Sequence, residues 1–255
     1  MDVVVLAKYV PNPQGVPDLG PDGLVVREGV EGGLDPTDEF GVEAGLRLVE
    51  AQGGELTVVS MGPELALAAV RRALAMGAHT GVLVSDERLR GADVLATARA
   101  LAAAVRRRPF DLVIAGTEST DGGAGTLPVA LAECLGVPSV TFVRRLDVND
   151  GVIRAERQTE AGHDEIECPL PAVVTVTSGA NEPRYPTMKG IMQSRQKPIE
   201  RLAVADLGLE QAETTWSQEV IAVAEAPARS GGLVIPWDDE AAGRLWEFLA
   251  EAKVV

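Results

Sequence analysis

The residues best placed to do chemistry sit in one run, Gly116-Thr117-Glu118-Ser119-Thr120-Asp121-Gly122-Gly123-Ala124-Gly125-Thr126, between an apolar stretch and an alanine- and leucine-rich one. Glycines just ahead of a helix start let backbone N–H groups approach an anion closely, and the helix dipole favours the negative charge. Thr120 and Thr126 offer hydroxyl donors. The run lacks the Gly-Lys-Ser/Thr of a triphosphate-binding loop, and no Gly-x-Gly-x-x-Gly directly follows the first strand. Taken alone, it fits a phosphate cradle and a plain flexible turn equally well.

Other chemistry is sparse. Cys134 and Cys168 have no Cys-x-x-Cys neighbour, so neither a disulfide framework nor a zinc site is indicated, and Cys134 reads as a small buried hydrophobe. His79 and His163 stand far in sequence from any organised carboxylate or thiol set. The sequence therefore indicates no metal site, no Ser-His-Asp arrangement and no catalytic residue.

The elements that must position the glycine run follow a regular pattern. Strands are expected over Val3–Lys8, Leu56–Ser60, Thr80–Val84 and Leu112–Ala115, and helices over Asp38–Ala51, Glu64–Met76, Gly91–Arg108 and Thr126–Leu135. Alternation of this kind predicts a parallel sheet covered on both faces. Ligands of such sheets bind beyond the carboxyl ends of the strands. That selects Leu6-Ala7-Lys8, Leu34–Asp38, Ser60–Pro63 and the glycine run. After Pro138 the pattern turns to β, with Val140–Val148 and Gly151–Gln158 joined through Asn149-Asp150-Gly151 as a hairpin, and Ala172–Thr177 beyond it. Asn181–Gln196 reads as a long ordered loop leading into a short helix, and Asp239–Ala252 as a terminal helix after Gly231-Gly232.

A chain of 255 residues, 46% hydrophobic and 24% charged, buries a full core and is ordinary for a globular protein. A formal net charge of −15 repels a phosphate backbone, which argues against nucleic acid. No apolar run reaches the roughly 20 residues of a membrane span, so no membrane insertion is expected. The opening has no basic leader, and a cytoplasmic location is expected. The one basic stretch, Asn181–Arg201, sets Arg184, Lys189, Arg195, Lys197 and Arg201 against Glu182 and Glu200.

Several segments together carry a resemblance: Val5-Leu6-Ala7-Lys8-Tyr9-Val10-Pro11, Ala73-Leu74-Ala75-Met76-Gly77-Ala78, the Gly116–Asp121 loop, Pro171-Ala172-Val173-Val174-Thr175 and Asn181-Glu182-Pro183-Arg184-Tyr185. In order and spanning about Val3 to Arg201, they resemble the small (beta) subunits of electron-transfer flavoproteins. The resemblance implies a Rossmann-like α/β fold, doubly wound and mostly parallel, of adenine-nucleotide-binding type, with an added antiparallel hairpin and a C-terminal arm. It implies a domain over 1–228 and an arm over 229–255.

It further implies a heterodimer whose alpha subunit holds most of a redox-active FAD, while this subunit binds an AMP with no redox role. The AMP pocket maps onto Leu6, Asp35, Pro36, Thr37, Asp38, Met61, Gly116 and Asp121-Gly122-Gly123-Ala124-Gly125-Thr126. Many members have glutamine where this chain has Thr126, an acidic residue at Gly123, and glutamate at Gln158, where the beta subunit reaches an arginine of its partner. Tyr185-Pro186-Thr187-Met188-Lys189-Gly190-Ile191-Met192 matches the loop that anchors partner dehydrogenases, with Met188 as the exposed apolar anchor. Donors of the acyl-CoA dehydrogenase type and a membrane quinone oxidoreductase as acceptor are implied. Two rivals stand beside this reading. One is an electron-bifurcating member with a second FAD in the AMP site and NADH as donor; the other is a stand-alone nucleotide-binding sensor.

Overall fold

A computed structural model describes residues 1–11, 17–209, 215, 218–224, 232 and 234–254. Its contacts divide the chain into two units, Met1–Ile221 and Ala222–Val255.

The first unit is built on a nine-stranded sheet. Its strands in chain order include β1 (Asp2–Leu6), β4 (Glu55–Met61), β5 (Thr80–Val84), β6 (Leu112–Gly116), β7 (Ser139–Asn149), β8 (Val152–Thr159), β9 (Gly162–Pro169), β10 (Ala172–Val176) and β11 (Ile199–Leu202). The spatial order is β11-β5-β4-β1-β6-β10-β7-β8-β9. All neighbours from β11 to β7 are parallel, and β7-β8-β9 continue antiparallel. The expected hairpin exists and carries a third strand, β9, which its charged sequence conceals. A separate two-stranded ribbon joins β2 (Tyr9–Pro11) and β3 (Gly32–Leu34), Tyr9 opposite Leu34.

Burial on both faces explains the continuous apolar runs. In β1, Val3 and Val5 enter one core with Val42, Leu46 and Leu74, while Val4 and Leu6 enter the other with Leu101 and Leu131. These partners lie on helices α1 (Pro36–Gln52), α2 (Leu67–Met76), α3 (Val94–Val105) and α4 (Leu127–Leu135). The expected helix over Glu64–Met76 opens with a 3₁₀ turn, Glu64–Ala66, before α2 begins. His79 supports the sheet, its Nδ1 accepting the Leu56 N–H at 2.9 Å. Cys134 is only partly buried, while Cys168 is buried.

Chain order along the sheet first reverses beside β1. From β1 the chain builds outward through β4 and β5, then crosses back to place β6 on the other side of β1. The carboxyl ends of β1 and β6 therefore flank the switch point, where open α/β sheets leave a crevice.

The second unit contains α6 (Ala241–Glu251), in which Ala241 is buried. Trp237 and Trp246 stand 94% and 64% exposed, and Leu245 and Phe248 are also exposed. Gly231, of the Gly231-Gly232 pair ahead of the expected helix, lies outside the described residues. Among the described residues, no helix is long and apolar enough to cross a membrane.

Candidate functional site

Three loops converge at the carboxyl edge between β1 and β6. The start of α1 is stitched to the end of β1 in both directions: the Asp35 N–H donates to the Lys8 carbonyl (2.9 Å), and the Lys8 N–H donates to Asp38 Oδ2 (2.7 Å). Pro36 at the first helical position gives up no useful donor, and Asp35 caps the helix by accepting the Thr37 N–H at 2.9 Å.

Asp35 is fully buried and ties in the third loop. Its Oδ2 accepts the Thr120 N–H at 2.7 Å and the Thr120 hydroxyl at 3.0 Å. The Thr37 hydroxyl lies 2.8 Å from Asp35 Oδ1 and 2.9 Å from the Glu118 carbonyl oxygen, and donates to one at a time. Sequence reasoning offered Thr120 as a donor to an anion; the structure commits its hydroxyl to Asp35. Asp35 and Thr37 thus organise the site from behind.

Gly116 is dictated by this arrangement. A Cβ there would lie 2.7 Å from Thr37 Oγ1 and 2.9 Å from Asp38 Oδ1. Asp38 itself is buried, and its carboxyl is pushed up to about 8, first by desolvation and second by neighbouring Asp35. Backbone N–H groups of Lys8 and Gly116 oppose the shift without cancelling it.

The glycine run sits where expected, ahead of α4. The Gly123 N–H donates to the Ser119 carbonyl (2.8 Å), and Gly123 takes a φ of +58°, which glycine adopts without strain. A side chain at Gly123 would meet nothing within 4 Å, so the loop presents open backbone. Thr126 caps α4 without a side-chain hydrogen bond. Gly122, Ala124 and Gly125 complete the loop.

Asp121, at its head, is met by two cations: Lys8, from a strand end the sequence had singled out, and Arg27, which sequence reasoning missed. Lys8 Nζ lies 2.6 Å from Asp121 Oδ1 and 3.0 Å from Ser119 Oγ, and Arg27 Nη2 pairs with Asp121 Oδ2. Burial acts to raise the Asp121 carboxyl, but Lys8, Arg27 and Ser119 outweigh it and hold it below the usual carboxylate range. The signal was faint: Lys8 is the lone charge just past the end of β1, and Arg27 is the only Lys or Arg between it and Arg47. Leu6 is packed in the core, and Met61, ending β4, is partly buried against the same cluster.

Lys8, Arg27 and the open backbone of a glycine loop ahead of a helix thus gather hydrogen-bond donors at the switch point.

The segment 181–195 lies elsewhere, against α1 and α2. Arg184 reaches buried Glu43 (Nε to Oε2, 2.7 Å) and Glu50 (Nη2 to Oε2, 2.9 Å), and Asn181 Nδ2 donates to the Phe40 carbonyl at 3.0 Å. These bonds fix the base of the loop and explain the Asn181–Tyr185 motif. Helix α5 (Met188–Ser194) follows, with Thr187 Oγ1 accepting the Gly190 N–H. The helix thus lies within the expected loop and begins at Met188. Tyr185, Met188 and Met192 are exposed by 86%, 75% and 68%, and Ile191 is also exposed. Lys189 is exposed, and Pro186 and Ile191 border a groove between α5 and α2.

Most of the local positive charge proves structural. Arg184 pairs with the two glutamates, Arg201 pairs with Glu64 at 2.8 Å, and Lys197 Nζ caps α2 on the Leu74 and Ala78 carbonyls at 2.9 and 2.6 Å. Gln158 is exposed on β8.

The fold and this carboxyl-edge loop define a doubly wound α/β protein with a glycine-rich loop ahead of a helix at its switch point. Comparison with known proteins sharpens the class. The model of the electron transfer flavoprotein domain matches residues 22–207. The electron transfer flavoprotein subunit beta of Mycobacterium bovis is 36% identical, covering 100% of this chain and 99% of that protein. The subunit beta of Bacillus subtilis is 34% identical over 91% of this chain and 92% of its own, and that of Thermoanaerobacterium thermosaccharolyticum 37% over 81% and 79%. The chain belongs to the electron transfer flavoprotein family, among its beta subunits.

Proposed function

We propose that this chain is the beta subunit of a heterodimeric electron carrier, that it binds AMP as a structural ligand, and that it presents partner dehydrogenases with the surface around Met188. The observation that carries the nucleotide reading is the convergence of Lys8, Arg27 and the Asp121–Thr126 loop ahead of α4 at the switch point. Lys8 and the loop backbone would hold the phosphate, with Asp35–Asp38 setting their positions. Leu6 and Met61 would border the base. FAD, held mainly by the alpha subunit, would supply the electron-accepting ring. Acyl-CoA-type dehydrogenases would be the donors, and a membrane quinone oxidoreductase of the respiratory chain the acceptor. In this reading the chain is a carrier subunit with no catalytic residue of its own.

Met188 supports the docking role because an exposed, unbranched thioether adapts to varied partner pockets. The cytoplasm suits such a subunit.

The test is to purify the heterodimer, denature it and identify the released nucleotides. One FAD and one AMP per heterodimer are expected. Two FAD and no AMP would replace this reading with the electron-bifurcating one, in which the second flavin occupies the same crevice and receives electrons from NADH.

A further inference from the structure

Residues 17–31 lead into β3 of the two-stranded ribbon, and the part over 18–26 folds as a small hairpin. The Val26 N–H donates to the Asp18 carbonyl (2.9 Å), Leu19 pairs with Val25, and a turn at Gly20–Gly23 closes the tip. Asp18, Leu19, Pro21 and Asp22 are exposed, whereas Gly23 to Arg27 are half-buried, so the hairpin's second arm faces the protein.

Two ion pairs pin it, one to each half of the sheet. At its base Arg27 pairs with Asp121, in the loop after β6. At its tip Asp22 Oδ2 lies 2.5 Å from Arg90 Nη2, in the loop after β5. Strands β5 and β6 are separated by β4 and β1, three strand spacings or about 14 Å. The five steps from Asp22 to Arg27 extend to about 17 Å. The second arm is thus long enough to span the carboxyl ends of β4 and β1, where the switch-point crevice lies.

We propose that residues 17–31 form a strap closed over the nucleotide crevice, and that Arg27 with Asp121 is its latch, setting how fast nucleotide enters and leaves. This rests on the AMP reading above. The two pins are unequal. Asp121 is 1% exposed and Arg27 26%, so their bond is shielded from solvent. Arg90 and Asp22 are 64% and 42% exposed, where an ion pair contributes little. The base pin is the one that must break for the strap to lift.

Stopped-flow association of a ribose-labelled fluorescent AMP with the nucleotide-stripped heterodimer, and its displacement by excess AMP, test the latch. Arg27→Gln should accelerate both association and release, each on the order of tenfold, with the dissociation constant moving less than either rate. Arg27→Lys, which keeps a cation for Asp121, should fall between. Arg90→Gln should shift both rates the same way by a smaller factor, and it carries the test if Arg27→Gln does not assemble. Faster release with unchanged or slower association would make Arg27 a phosphate ligand and overturn the latch, as would unchanged rates in Arg27→Gln, or in Arg90→Gln where that variant stands in. If the wild-type heterodimer shows no saturable uptake of the labelled AMP, the nucleotide reading itself falls, and the strap with it.

Discussion

Lys8 Nζ stands 2.6 Å from Oδ1 of Asp121, joining the end of β1 to the head of the glycine loop across the switch point. The carboxylate is almost wholly buried, and Arg27 meets its other oxygen. One buried anion thus ties together the end of β1, the segment that carries Arg27 and the glycine loop.

Asp121→Asn should therefore destabilise the protein, by about 1–3 kcal/mol at neutral pH for charge-assisted bonds lost to a buried group. The sign of the pH dependence follows from its lowered pKa. A depressed carboxyl contributes stability above its unfolded value of about 3.9 and loses it as pH falls through the lower folded value. Denaturant unfolding of both proteins at pH 7 and at about pH 3.5 should show the gap narrowing in acid. A gap of constant size would mean that the charge on Asp121 is not what stabilises.

Asp38 should behave in the opposite sense. Its folded value is raised to about 8, so between about pH 4 and 8 the folded state holds a proton that the unfolded chain releases. Stability should fall as pH rises through this window and level off above it. Asp38→Asn, which resembles the protonated acid, should flatten that slope. Asp35→Asn should be far worse: an amide offers one acceptor where the carboxylate serves the Thr37 and Thr120 donors on both oxygens, a loss of about 2–4 kcal/mol. Unfolding free energies at pH 5.5 and 8 for the three proteins check both statements.

At the proposed docking surface, Gly190 and Met188 separate packing from recognition. A Cβ on Gly190 would lie 2.4 Å from the Ala75 carbonyl oxygen, so Gly190→Ala must push α5 off α2, at about 1–3 kcal/mol. Met188 is 75% exposed and supports little. Met188→Ala should leave the melting temperature and flavin content unchanged. It should slow reduction by a donor dehydrogenase by the roughly 5- to 100-fold that an interface anchor is worth. Melting curves alongside steady-state reduction rates decide it; a parallel loss of stability in Met188→Ala would make that side chain part of the core.

The legible part of the fold was the part whose burial leaves a periodic trace. Val3–Leu6 and Leu112–Gly116 are apolar because both faces are covered, and Leu67–Met76 shows a helical stripe because one face is buried and Arg71 and Arg72 are turned outward. Strand β9 left no such trace: Gly162–Pro169 is mostly exposed and is held by cross-strand pairs such as Arg154 with Glu167 and Arg157 with Asp164. The four residues of β11 are a strand because β5 offers an edge. At the site, the glycines announced themselves through local chemistry. Lys8 was marked only as a strand end and Arg27 not at all, because they meet Asp121 across 113 and 94 residues of chain.

The C-terminal unit gives the last expectation. Leu245 and Leu249 are one helical turn apart on α6, Trp246 lies beside them, and Trp237 precedes the helix. Of these, Trp237, Leu245 and Trp246 are exposed, with Phe248 adding a further aromatic face. So much apolar surface on one short helix is costly to leave in water and marks an interaction site. The unit has little core of its own: Ala241 is the single buried hydrophobic residue among its described positions. An arm that docks on the alpha subunit would bury this face. Deleting residues 233–255 should then leave a folded domain that still takes up AMP but no longer co-purifies with the alpha subunit. The measurement is co-purification of the untagged partner, with circular dichroism and AMP titration of the truncated chain beside it. If the truncated chain unfolds by itself, or if it keeps its partner at full yield, the arm does not hold the heterodimer together.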